Sequence, residues 1–238
     1  MAASPALEAE RSRLGDELLA VHTIMRRGTA LVSEAFARLA GGYSVDVKVL
    51  VNATRWLIAF IHGHHESAEQ TLWPVLRDRF PERAVDIDLL TAEHQALEVE
   101  LHALARAVDA IDIPQVPGER EAVLGIVGAV ALTGLPAAET VQTSVERHAD
   151  AEEPVLLDLF PKVADDDVAQ LRSAVFDGAP HAGPSLVFGL MGDPEPVAGY
   201  ERIIDGFPVT VRWLSPVLRA RYKAVKKALC ASEQPYSR

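Results

Sequence analysis

The stretch His62-Gly63-His64-His65-Glu66-Ser67-Ala68-Glu69, running at once into Leu72-Trp73-Pro74, sets three imidazoles and two carboxylates within about two helical turns. On a helix His65 and Glu69 stand at i and i+4 and project from one face. Leu57, Ile61, Leu72 and Leu76 share that stripe, so the face is otherwise apolar. A histidine and a carboxylate directed into a hydrophobic interior need partners, and a metal ion is the economical candidate. His62 and Glu66 form a second i, i+4 pair further round the helix and read as supporting residues at best. His64 reads as facing away.

The stretch has an echo. His148-Ala149-Asp150-Ala151-Glu152-Glu153 repeats His-x-x-Ala-Glu at the same spacing, in a stripe of Val141, Val145, Val155 and Leu159. Two more histidines lie in apolar stripes: His22 among Leu14, Leu18, Val21 and Met25, and His94 among Leu90, Leu97, Leu101 and Val108, with Glu98 one turn on.

Around these motifs the periodicity is that of helices throughout. The first helix spans roughly Leu7 to Ala40 and stops at Gly41-Gly42. The second begins near Val45, with Ser44 as a plausible cap, and runs to about Phe80 with a kink at Pro74. The third covers Ala84 to Ile111, and Pro114–Gly118 makes the next loop. The fourth covers Glu119 to Phe160, broken near Gly134-Leu135-Pro136. In an up-down-up-down four-helix bundle, residues equidistant from a turn lie at one height. The midpoint between His22 and His65 falls beside Gly41-Gly42, and that between His65 and His94 beside Pro81. The midpoint between His94 and His148 falls just past the Pro114–Gly118 loop. Four histidines on four helices therefore converge on one layer.

The expected class is all-α, with a bundle over residues 7–162 and a helical extension over 163–238. In the extension Asp165-Asp166-Asp167 opens a short helix, and Ala179 to Pro196, rich in Gly and Pro, reads as a covering loop. Pro208 to Cys230 reads as a last helix with the apolar stripe Val211, Leu214, Val217, Leu218, Tyr222, Val225 and Leu229, packed on the bundle. Its other face, basic, is left to solvent. The extension is expected to cover part of the bundle and restrict access to the site.

The 238 residues are 49% apolar, enough for one ordinary domain with an appendage, and the net charge is −11. That balance argues against nucleic acid as a partner. The lone Cys230 excludes an internal disulfide framework. Glu8, Glu10, Arg11 and Arg13 stand where a signal peptide needs an apolar run, and Ala122–Leu135, the longest stretch of low charge, is too short to span a bilayer. The expectation is a cytoplasmic protein without membrane or nucleic-acid partners, a monomer or weak homo-oligomer.

A catalytic triad or nucleophile is not read among these histidines, and structural zinc favours cysteine-rich sites. Imidazole mixed with carboxylate inside a helical bundle suits iron or manganese, two ions bridged by carboxylates.

On these residues the chain, from about residue 10 to 162, resembles the hemerythrin-like, His-His-Glu cation-binding family, four-helix bundles that hold a non-heme diiron centre. The resemblance implies two iron ions with oxo or hydroxo and carboxylate bridges. It implies as ligands His22, His65 and Glu69, His94, and His148 and Glu152, with both glutamates bridging. Glu98 joins this candidate metal set because it stands where oxygen-carrying members have a second histidine after the third-helix ligand. Those members also end the fourth-helix motif in an aspartate one position later than Glu152. A carboxylate at position 98 is expected to favour redox turnover or sensing over reversible oxygen carriage. The implied function is to bind or reduce a small oxidant (dioxygen, peroxide or nitric oxide) at an open iron position. The alternative is an iron, oxygen or redox sensor whose structure responds to metal occupancy without turnover. A third reading is a helical interaction module with a vestigial site.

Overall fold

The computed structural model describes residues 5–112, 120–177 and 183–230, and every regular element among them is helical. In chain order these are α1 (Pro5–Ala40), α2 (Val47–Ser67), a π-helical segment (Ala68–Leu72), α3 (Trp73–Arg79), α4 (Ala84–Ile111), α5 (Arg120–Leu159), α6 (Asp165–Asp177), α7 (Pro184–Gly192), α8 (Tyr200–Asp205), α9 (Val209–Trp213) and α10 (Ser215–Cys230). Single turns of 3-10 helix, Pro81–Arg83 and Phe160–Lys162, precede α4 and follow α5.

The apolar stripes read from the sequence are the faces that close the core. Leu14, Leu18 and Met25 of α1, Leu57 and Ile61 of α2, Leu97 and Leu101 of α4 and Val141 and Val145 of α5 are all buried. Each large aliphatic side chain removed from water contributes about 1.5–3 kcal/mol. The long helices pack as neighbours: α1 on α5 and α2, α4 on α5 and α2. Cross-links fix their directions. Arg11 bonds the Val163 carbonyl, whereas Arg26, further along α1, pairs with Asp150 and Glu153, so α1 and α5 run antiparallel. Arg55 pairs with Asp109 and Asp112, and His62 with Glu98, which sets α2 against α4 in the same way.

Several local expectations need correction. Helix α2 is capped by Asp46, whose carboxylate accepts from the Val49 amide at 3.0 Å, rather than by Ser44. The irregularity in the second helix lies ahead of Pro74, in the wider π turn Ala68–Leu72. That winding makes room for a ring that removes an amide and crowds the preceding carbonyl. Helix α5 is unbroken, with Pro136 and Pro154 inside it. The helix survives there because neighbours hold it: a Cβ at Gly134 would lie 2.9 Å from the Phe36 ring, so α5 approaches α1 too closely to swing away. The Pro114–Gly118 loop lies outside the described residues.

In the extension, the expected covering loop is in part a helix, α7, entered from Gly183 at φ +86°, where an added Cβ would strike Trp56 at 2.6 Å. Tyr222 of α10 lies against Gly189 of α7, and both helices pack on α1. Arg27 of α1 donates to the Leu190 and Glu195 carbonyls at 2.8 and 2.9 Å. The expected single last helix is divided at Leu214 into α9 and α10. Helix α6 lies across α1, α2 and the π turn, clasped by Arg172 to the buried Glu17 at 2.9 Å and by Ser67 Oγ donating to the Ala174 carbonyl at 2.6 Å.

Candidate metal centre

Six buried side chains from four helices meet midway along the core. Their ligand atoms form two groups, His65, His94 and His148 in one and His22, His64 and Glu152 in the other, with the atoms of each within 4.8 Å of one another. Glu152 joins the two. Its Oε2 lies 3.0 Å from His148 Nε2, 3.3 Å from His22 Nε2 and 3.8 Å from His64 Nε2. The rings of His65 and His94 stack at 4.0 Å between centroids, and His148 stands edge-on to both.

The outer nitrogens of three rings are held by carboxylates nearer the surface. Nδ1 of His22 donates to Glu153 at 3.0 Å, that of His148 to Glu93 at 3.0 Å, and that of His94 to Glu69 at 3.3 Å. A carboxylate only accepts, so Nδ1 carries a proton, and it is Nε2 that each ring can offer inward to a metal. Glu153 is itself pinned by Arg26 at 2.5 Å. This is the arrangement that orients and strengthens imidazole ligands.

The inward atoms lack adequate partners. No hydrogen bond of good geometry reaches His22 Nε2, His64 Nε2, either nitrogen of His65 or either oxygen of Glu152, all buried. His94 Nε2 and His148 Nε2 face one another at 3.1 Å. Two bare nitrogens so placed repel unless a proton or metal ion lies between them. Unsatisfied buried polar atoms each cost about 1–3 kcal/mol, and a bound cation would satisfy the inward nitrogens and the carboxylate together. The donor set, five imidazoles and one carboxylate, fits metal binding.

Protonation states agree with metal binding. Burial disfavours charge on His64 and pushes His65 well below its ordinary value, with neighbouring imidazoles adding to the shift in His65. Burial, then repulsion by His148, lowers His94 to about 3. Burial also opposes charge on His22 and His148, but Glu152 with Glu153 raises His22 to about 8, and Glu152 with Glu93 raises His148. Burial alone would protonate Glu152, yet the imidazoles of His148, His22 and His64 gathered around it hold its carboxyl well below the usual carboxylate range. Neutral His64, His65 and His94 and anionic Glu152 are the favoured states, while the carboxylates around His22 and His148 favour a proton that a metal would displace.

The structure therefore brings together His22, His65, His94, His148 and Glu152 of the residues singled out in the sequence. Two others lie elsewhere. Glu69 sits at the rim with its side chain 43% exposed, touching the outer nitrogen of His94. The i, i+4 rule assumed an α-turn, and Glu69 stands on the π turn, which changes the phase. Glu98 lies on the outer side of α4, paired with His62 at 2.7 Å and His102 at 3.1 Å. His64, read as facing away, is buried beside Glu152. The pair His64-His65 straddles the core-facing line of α2, so one ring serves each group. Glu93 was missed because it precedes His94 directly and falls outside any i, i+4 pattern. The indole N–H of Trp73 is also buried without a partner, its ring 5.9 Å from His94.

Among the described residues no helix is long and apolar enough to cross a membrane. Residues 13–170 match the family model of the hemerythrin HHE cation-binding domain. No match was found among curated proteins or solved structures. Two thirds of the chain, including every residue of the buried cluster, lies within the matched span, and the chain belongs to the hemerythrin HHE cation-binding family.

Proposed function

We propose that α1, α2, α4 and α5 form an up-down-up-down bundle around a non-heme diiron centre, and that the protein binds or reduces a small oxidant (dioxygen, peroxide or nitric oxide) at an open iron position. The observation that carries this reading is Glu152 Oε2 set among the Nε2 atoms of His148, His22 and His64, with Nε2 of His22 and His64 and both nitrogens of His65 unpartnered. Glu152 would bridge the pair, with His22 and His64 on one ion and His65, His94 and His148 on the other. When bound, the iron pair supplies one-electron redox steps and an exchangeable coordination position.

The chain's own part follows from the geometry. Glu93 and Glu153 engage Nδ1 of His148 and His22, so that Nε2 is the atom each ring offers inward. Ala68, Leu72, Leu97 and Val145, all buried, exclude bulk water, which favours ligands of a few atoms. Trp73, its indole N–H buried without a partner and its ring 5.9 Å from His94, is a candidate donor to such a ligand. The donor set is richer in nitrogen than the sequence suggested, and a single carboxylate offsets less of the metals' charge. The expected preference for turnover or sensing, which rested on Glu98 at the metal, therefore loses its main support, and reversible ligand binding stands beside turnover.

The test is the absorption spectrum of the anaerobically reduced, iron-loaded protein titrated in turn with dioxygen, peroxide and nitric oxide. A charge-transfer band that appears with one of them supports the reading, and no spectral response to any removes it. A sensor is the second reading, favoured by the number of buried atoms left unpaired unless a metal binds. It predicts metal-dependent protease sensitivity without consumption of peroxide.

A further inference from the structure

The last two helices carry a surface that the metal centre leaves unexplained. From Pro208 to Cys230 the chain holds six basic residues and no acidic one, within a protein of net charge −11. Helix α10 buries Leu218, Tyr222 and Leu229 against the fold. Its opposite line, Val217, Ala220 and Ala224, faces solvent, with Arg221 on one flank and Lys223 and Lys227 on the other. At the α9–α10 junction this line continues into Val209, Trp213, Leu214 and Val217, respectively 55%, 82%, 52% and 49% exposed. The sequence placed Leu214 and Val217 in a packed stripe. Instead they protrude.

The cations on this face are of two kinds. Arg212, Arg219 and Lys226 are engaged by Asp205, the Tyr200 hydroxyl and Asp193. Among the described residues, Arg221, Lys223 and Lys227 make no ion pair. A helix with an exposed apolar line, a tryptophan at its end and free cations on both flanks has the composition of one that lies in a bilayer interface.

We propose that this face docks on an anionic lipid surface, with Trp213, Leu214 and Val217 entering the headgroup region and Arg221, Lys223 and Lys227 meeting lipid phosphates. Charge complementarity selects the sign of the surface, since this is the basic face of an acidic protein. Shape selects lipid over a protein partner: protruding side chains need a complementary groove in a protein but none in a bilayer. A twofold contact between two copies is disfavoured, because it would set the same cations against each other.

The experiment is co-flotation of the full-length, iron-loaded chain with vesicles of phosphatidylcholine alone or phosphatidylcholine mixed with phosphatidylglycerol. Binding is expected to the mixed vesicles only, weakening as salt rises. Each cation near an anionic surface contributes about fivefold, so changing Arg221, Lys223 and Lys227 together to Gln should weaken partition about a hundredfold. Trp213→Ser should weaken it about tenfold or more through lost apolar burial. All four residues are exposed, so unchanged circular dichroism and iron content serve as controls for folding. Tryptophan emission should shift to the blue with mixed vesicles in the unmodified chain and not in Trp213→Phe. Absence of binding, equal binding to both vesicle types, or variants that bind like the unmodified chain would each overturn the proposal. In that case docking to an acidic protein takes its place.

Discussion

Glu152 is the residue on which the centre turns, a fully buried carboxylate whose charge is held by imidazoles alone. Glu152→Gln keeps the shape and removes the anion, so iron retention should fall close to zero. His64→Ala should lower iron content by about half or more, because it strips one group of a ligand. Glu98→His should leave iron content unchanged, since Glu98 contacts His62 and His102 and not the cluster. Metal analysis of these three variants checks the assignment, and normal iron in His64→Ala with loss in Glu98→His would reverse it. Further out, Glu93→Gln or Glu153→Gln should weaken metal affinity about 10–100-fold, as loss of the group behind a ligand generally does. A chelator competition titration reads that shift.

At the scale of elements, most of the core-facing geometry was legible because it follows from spacing. His22, His65, His94 and His148 converge as their distances from the turns required, and α4 has the bounds expected of it. Local winding was less legible. A π turn leaves no period in the sequence that separates it from an α-turn, so Glu69 was placed inward. Helix α5 was expected to break because Pro136 is unfavourable locally, whereas packing at Gly134 outweighs that preference. In the extension, α7 carries too little periodicity for a helix of nine residues to be read.

That extension is held by contacts that can be removed singly. A Cβ on Gly189 would fall 1.9–2.5 Å from three atoms of the Tyr222 ring, so Gly189→Ala must part α7 from α10. Overpacking of this kind costs about 1–3 kcal/mol, and proteolysis of the extension should accelerate while iron content holds. Asp193 accepts from Lys226 at 2.5 Å and Tyr222 at 3.0 Å, and Lys226 above all holds its carboxyl below the usual range. A depressed folded value means that this pair stabilises the fold above the unfolded value of about 3.9, and that the contribution fades as pH falls through the folded value. Asp193→Asn should therefore lower Tm at neutral pH, by an amount that shrinks as pH falls below about 3.9. Thermal melts across pH check this, and a constant difference would contradict it.

At the scale of the whole molecule, the cluster concentrates unsatisfied polar atoms inside a core that is otherwise well packed. Metal binding and folding are then linked, since a ligand that binds only the folded chain adds stability in proportion to the logarithm of its concentration over Kd. Iron-free protein should melt below the iron-loaded form, by more than the roughly 2–4 °C that 1 kcal/mol gives in a chain of this size. The lid role expected of the extension becomes a question of two parts. Helix α6 spans α1, α2 and the π turn beside the cluster, whereas α7, α8 and α10 pack on α1. Deleting residues 179–238 should leave iron binding intact, and azide entry no faster than in the full chain would assign the covering role to α6 alone.

The most direct measurement is an anaerobic titration of metal-free protein with Fe(II), followed by absorption and by Mössbauer spectroscopy after exposure to air. Six ligands in two groups joined by Glu152 predict a break at about two equivalents and an antiferromagnetically coupled pair. A break at one equivalent with an uncoupled ion, or no saturable binding, would contradict the account.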